Sequence, residues 1–103
     1  MDRIARIKEM MVAQPGDSFL KHALALEYVK MGEDAAAKML FKSVLENEPS
    51  YLGSYYQLGK LLERQNLEAE AVETYRKGMT IAASQGDQKT HAELRSALEE
   101  ITE

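Results

Sequence analysis

His22 and His91 are the only imidazoles in the chain, and they stand 69 positions apart. Imidazole binds metals and moves protons near neutral pH, but either task needs partners at set spacing. Neither histidine sits in a His-Glu-x-x-His arrangement, and no calcium-loop pattern occurs. Cysteine is absent, which removes thiolate ligands, disulfide staples and cysteine nucleophiles together. Ser18, Ser43, Ser50, Ser54, Ser84 and Ser96 all lie outside a Gly-x-Ser-x-Gly context. The six glycines form no phosphate-binding loop. The acidic pairs, Glu33-Asp34, Glu46/Glu48 and Glu99-Glu100, read as solvated helix faces. No enzyme, metal or cofactor is expected.

The remaining function classes narrow on charge and length. A formal charge of -4 and a pI near 5.2 make a nucleic-acid backbone a poor partner. The basic residues form no stripe, since Lys38 and Lys42 are answered by Glu46 and Glu48. Apolar runs are a few residues long, far below the ~20 that span a bilayer, so no membrane role is expected. Met1-Asp2-Arg3-Ile4 opens a charged amphipathic stretch rather than a basic-then-apolar export signal. With no cysteine, the expected setting is cytoplasmic. The 103 residues, 45% hydrophobic and 29% charged, suit a single domain with a modest core.

The composition is that of helices: Ala, Leu, Glu, Lys, Met, Gln and Arg dominate, and no segment alternates as a strand must. Breaks at Gln14-Pro15-Gly16-Asp17, Gly32-Glu33, Asn47-Glu48-Pro49-Ser50, Gln65-Asn66 and Ser84-Gln85-Gly86-Asp87 delimit six helices. They are expected at about 2–13, 17–31, 34–47, 51–65, 68–84 and 87–102, an all-α chain of antiparallel neighbours. Asp17, Ser50 and Asp87 are the candidate N-caps. Gly32 and Asn66 are the residue types suited to a left-handed helix end.

A shift of 34 residues aligns Leu24-Ala25 with Leu58-Gly59, Tyr28 with Leu62, and Gly32 with Asn66. The same shift pairs Ala37 with Ala71, Phe41 with Tyr75, Leu45 with Met79 and Pro15 with Pro49. It also sets Ile7, Met10 and Met11 against Phe41, Val44 and Leu45. One register through helices, turns and a proline is the signature of a repeat. On these residues the chain resembles the tetratricopeptide repeat family, whose unit is a 34-residue antiparallel helix pair. Lys21 occupies the family's large-aromatic position, which Tyr55 fills in the second unit, and Ala83 replaces the second unit's terminal proline.

The resemblance implies a right-handed, tetratricopeptide-like solenoid of about six helices in a single domain, 1–103. It would comprise an N-terminal packing helix (2–13), repeat 1 (18–51), repeat 2 (52–85) and a C-terminal capping helix (87–102). Gly59, inside a helix, is explained by a close crossing, with alanine tolerable there if the crossing has slack. The last helix leaves the 34-residue register, which would place Lys89, Ala92, Glu93 and Ser96 in the core. Its apolar stripe is Leu94, Ala97, Leu98 and Ile101, with Glu93, Glu99, Glu100 and Glu103 facing water.

The resemblance also implies a non-catalytic protein-interaction module that binds a peptide segment or partner surface through a concave face. Carried across by position, the groove residues are Phe19, His22, Ala23, Leu26, Val29 and Lys30, then Gly53, Tyr56, Gln57, Lys60, Glu63 and Arg64. Helix 17–31 has more apolar residues than its core positions Leu20, Leu24, Ala25, Tyr28 and Met31 require. Flanking helices could cover the excess, or a partner could. The alternative function is self-association, a homodimer through helix 17–31 or helix 87–102. A clamp for the terminal carboxylate of heat-shock chaperones is disfavoured. At the family's clamp positions stand His22, Leu26, Gln57, Asp87 and His91, where Asp87 repels a carboxylate and Leu26 donates nothing.

Overall fold

Local chemistry decides where the helices begin and end. In the computed structural model, which describes residues 2–102, they are α1 (Arg3–Ala13), α2 (Ser18–Lys30), α3 (Asp34–Asn47), α4 (Gly53–Arg64), α5 (Glu68–Ser84) and α6 (Gln88–Thr102). No strand occurs among the described residues. The Asp17 carboxylate accepts the Leu20 N–H at 2.9 Å, and Asp87 accepts the N–H and hydroxyl of Thr90 at 3.0 and 2.8 Å. Both are the expected caps. Asp2, expected inside the first helix, instead caps it by accepting the Ala5 N–H at 2.7 Å. Ser50 caps nothing, because α4 starts at Gly53, and Leu52 before it has no side-chain bond to give.

Three helix ends share one device. The N–H groups of Glu33, Leu67 and Asp87 bond back to the carbonyls of Tyr28, Leu62 and Ala82, each at 2.9 Å. The residue before each donor has positive φ: Gly32 at 75°, Asn66 at 62° and Gly86 at 71°. This is the Schellman geometry, which reverses the chain tightly and satisfies the last helical carbonyls. It makes α2/α3, α4/α5 and α5/α6 antiparallel neighbours.

The chain divides into two compact units, one running to Glu48 and the other starting at Pro49. In the first, α2 packs on α3 and carries α1 on another side. Leu20, Leu24 and Ile7 form a cluster that Ile4, Met11, Ala23, Tyr28 and Leu40 flank, while Ala25, Ala37, Phe41 and Val44 are fully buried. Glu27 ties α1 to α2, accepting from Arg3 Nε at 3.0 Å and Lys30 Nζ at 3.1 Å. One expectation fails here. Met31 is 63% exposed rather than core, because it is the C-cap of α2, past the last buried turn. Met10 is half-exposed although its register partner Val44 is buried.

In the second unit, α5 lies between α4 and α6, and α6 also touches α4. The α4/α5 crossing is built by exchange of aromatic rings and glycines. A Cβ at Gly59 would fall against Cε1 and Cζ of the buried Tyr75 ring, and one at Gly78 would lie 2.7 Å from Tyr55 Cβ and 2.9 Å from Leu94 Cδ1. The crossing therefore has no slack at Gly59, and the condition on which alanine would be tolerated there is not met. On α6, Leu94 and Ala97 are buried and Leu98 and Ile101 partly so, while Lys89, Glu93 and Ser96 are exposed. The stripe is the one expected. Glu99 and Glu100 face water; Glu103 lies outside the described residues.

Candidate protein-binding faces

The outward face of α2 follows from its cap. With Ser18 as first helical residue, Leu20, Leu24, Ala25 and Tyr28 turn toward α3 and α1, and the opposite side presents Phe19, His22, Ala23, Leu26, Val29 and Lys30. Exposure along that face is graded. Phe19 is 67% exposed, against 8% for its neighbour Leu20. Leu26 and Val29 are half-buried, and Ala23 rests partly on the Ile7–Leu20–Leu24 cluster. His22 sets its ring edge-on to Phe41, with centroids 5.5 Å apart at 63°, and burial pushes its imidazole below the ordinary value. Lys30 is exposed at the far end and ion-paired with Glu27, whose carboxyl is held below its usual range first by Lys30 and then by Arg3.

The outward face of α4 is polar. Tyr56 is 37% exposed, and Lys60 Nζ stands 5.6 Å from its ring centroid. The same ammonium lies 3.7 Å from Glu63 and 3.6 Å from Glu100 of α6. Glu63 in turn accepts the Tyr75 hydroxyl from within the unit. Burial, then that hydrogen bond, pushes the Tyr75 phenol far above its ordinary value. Gln57 is half-buried, and Gly53 and Arg64 are exposed. This face is a linked array of aromatic ring, ammonium and carboxylates. One hydrogen bond, from the Tyr75 hydroxyl to Glu63, anchors the array to the interior of the unit.

Of the sequence-derived face residues, Phe19, Lys30, Gly53, Tyr56 and Arg64 are exposed and the others half-buried, with His22, Ala23 and Glu63 in contact with groups inside their units. Sequence reading missed Glu100, which reaches Lys60 from another helix, and the Tyr75–Glu63 bond, whose partners belong to different elements. Gly78, a helix-interior glycine like Gly59, was the one available signal for the second ring contact. Among the described residues, no group of three or more His, Asp or Glu side chains could hold a metal ion.

Residues 52–85 match the sequence pattern of the tetratricopeptide repeat. The chain is similar to the solution structure of a tetratricopeptide repeat domain protein from Salinibacter ruber, at 38% identity over 86% of this chain and 90% of that one, with a TM-score of 0.82. The chain belongs to the tetratricopeptide repeat family. A crystal structure of a tetratricopeptide repeat domain protein from the same organism gives 39% identity and a TM-score of 0.77, covering 82% of this chain and 93% of that one. A protein from Bordetella parapertussis, at 26% identity, gives a TM-score of 0.84 over 97% of this chain and 87% of that one. No curated protein matches the sequence. Tetratricopeptide repeat domains generally serve as protein-binding scaffolds and are typically non-catalytic.

Proposed function

We propose that this tetratricopeptide repeat chain is a non-catalytic module that holds a peptide segment or partner surface on the outward face of α2, and that the outward face of α4 is, taken by itself, a polar contact surface. The observation that carries the reading is Phe19. A phenylalanine two-thirds exposed at the head of an otherwise apolar face, with Ala23, Leu26 and Val29 behind it, is a ready anchor for an apolar side chain. On α4, Tyr56, Gln57, Lys60, Glu63 and Arg64 offer an aromatic platform and hydrogen-bonding groups that orient a ligand.

Selection of displayed peptides on the immobilised full chain tests this. Sequences enriched on the native protein should be lost on Phe19→Glu, while circular dichroism and Tm stay unchanged. Enrichment indifferent to Phe19→Glu refutes the α2 face as the site. Leu20→Glu is the companion variant, since its side chain is core and its charge should unfold the unit.

Self-association through the same α2 face is the second reading, and the exposure of Phe19 favours it equally. The route through α6 has less to offer, because Leu94 and Ala97 are already spent on packing within the unit. Sedimentation equilibrium separates the two. A dimer that Phe19→Glu dissociates to folded monomers supports self-association, and a monomer at every concentration supports the partner reading.

A further inference from the structure

The side of the second unit where α5 meets α6 carries a feature that the α2 and α4 faces leave unexplained. Two open depressions adjoin there, of about 520 and 480 Å³, sharing Ala83 and His91. Met79, Ala83 and Ala92 contribute apolar lining, and Arg76, His91 and Arg95 contribute the cationic groups. None of those three has an ion pair or side-chain hydrogen bond among the described residues. The contrast lies within the same unit, where Lys60 is answered by two carboxylates. Asp87, which also lines this cleft, is turned to Thr90 at the start of α6 and makes no ion pair with Arg95, although its carboxylate keeps its charge. Two guanidinium groups thus have no ion pair among the described residues, on a unit in which acids outnumber bases.

We propose that the α5/α6 cleft is a docking site for an acidic segment of a partner protein, whose carboxylates pair with Arg76 and Arg95 and whose apolar side chain lies over Met79 and Ala83. Arginine suits the task, since its planar donor fork meets a carboxylate through two parallel hydrogen bonds. A ligand of few charges interleaved with apolar groups fits a cleft of this composition. A continuous polyanion would meet the excess acid of the surrounding unit and be repelled.

The probe is a synthetic peptide of about 12 residues, alternating Glu and Leu, titrated into the full chain and followed by amide chemical shifts. Perturbations should map to residues 76–83 and 88–95 and spare α2. The doubly substituted Arg76→Gln/Arg95→Gln protein, whose remaining spectrum should superimpose on the native one, should bind at least about tenfold more weakly. No perturbation at millimolar peptide, or equal affinity in the double variant, overturns the proposal. Inorganic phosphate or single-stranded DNA moving the same resonances as strongly as the peptide also overturns it, since the cleft would then be a general anion site. Because α2 takes no part, Phe19→Glu should leave this titration unchanged, so failure here and failure of the α2 reading are read separately.

Discussion

At the scale of single residues, Gly59 shows how much an absent methyl group can decide. The Tyr75 ring occupies the space that a Cβ would need, and Tyr75 is fully buried, so it cannot swing aside. Gly59→Ala should therefore destabilise by about 1–3 kcal/mol despite its better helix propensity, measured as a shift in urea midpoint at constant m-value. His22 makes a different kind of statement. Burial lowers its pKa in the folded chain, so the unfolded chain takes up the proton first as pH falls. Stability from this group is present above about pH 6.5 and declines below it until the folded imidazole also protonates. Thermal melts between pH 8 and 5 should show that decline, and His22→Gln should flatten it.

At the scale of elements, the turns and the last helix hold testable energy. Asn66 sits at φ 62°, a conformation that costs a residue with a Cβ and no local hydrogen-bonding side chain about 1 kcal/mol or more. Asn66→Ala should lower stability by roughly that amount and Asn66→Gly should not, as paired denaturant melts will show. The Schellman turns at Gly32 and Asn66 were legible because their cause is local, a residue able to take positive φ just after the last helical turn, whereas Gly86 was legible only as part of a break. The α6 stripe was legible for the same kind of reason, a 3.6-residue period. Its energetic weight was not. Leu94 is completely buried and packs beside Gly78, so Leu94→Ala should cost about 2–5 kcal/mol, seen as early loss of helicity on heating.

At the scale of the whole molecule, two contacts of unlike chemistry are proposed, and salt should tell them apart. A partner held by Phe19 and Leu26 is bound by apolar burial, which added salt leaves nearly unchanged. A carboxylate-bearing segment on Arg76 and Arg95 depends on Coulomb attraction at an exposed surface, which is screened over about 8–10 Å at physiological ionic strength. Raising sodium chloride from about 0.05 to 0.5 M should weaken the alternating Glu/Leu peptide severalfold. It should spare peptides selected on the α2 face. Equal salt sensitivity of both, read by calorimetric titration, would contradict the division.

The sequence by itself determined the number of helices, the residues that end them and the 34-residue period that fixes the family. Those features follow from propensity, capping and positive φ, which act within a few residues of chain. Position within the repeat that the chain resembles assigned Phe19, Leu26, Tyr56 and Lys60 to a candidate groove. Only the tertiary structure decided that Phe19 stays exposed while Ala23 rests on a cluster completed by α1, and that Met31 leaves the core. It likewise decided that Tyr75 fills the space over Gly59, that Glu100 reaches Lys60, and that Arg76 and Arg95 line adjoining depressions. Burial and ion pairing depend on which neighbours from other helices the packing brings into reach.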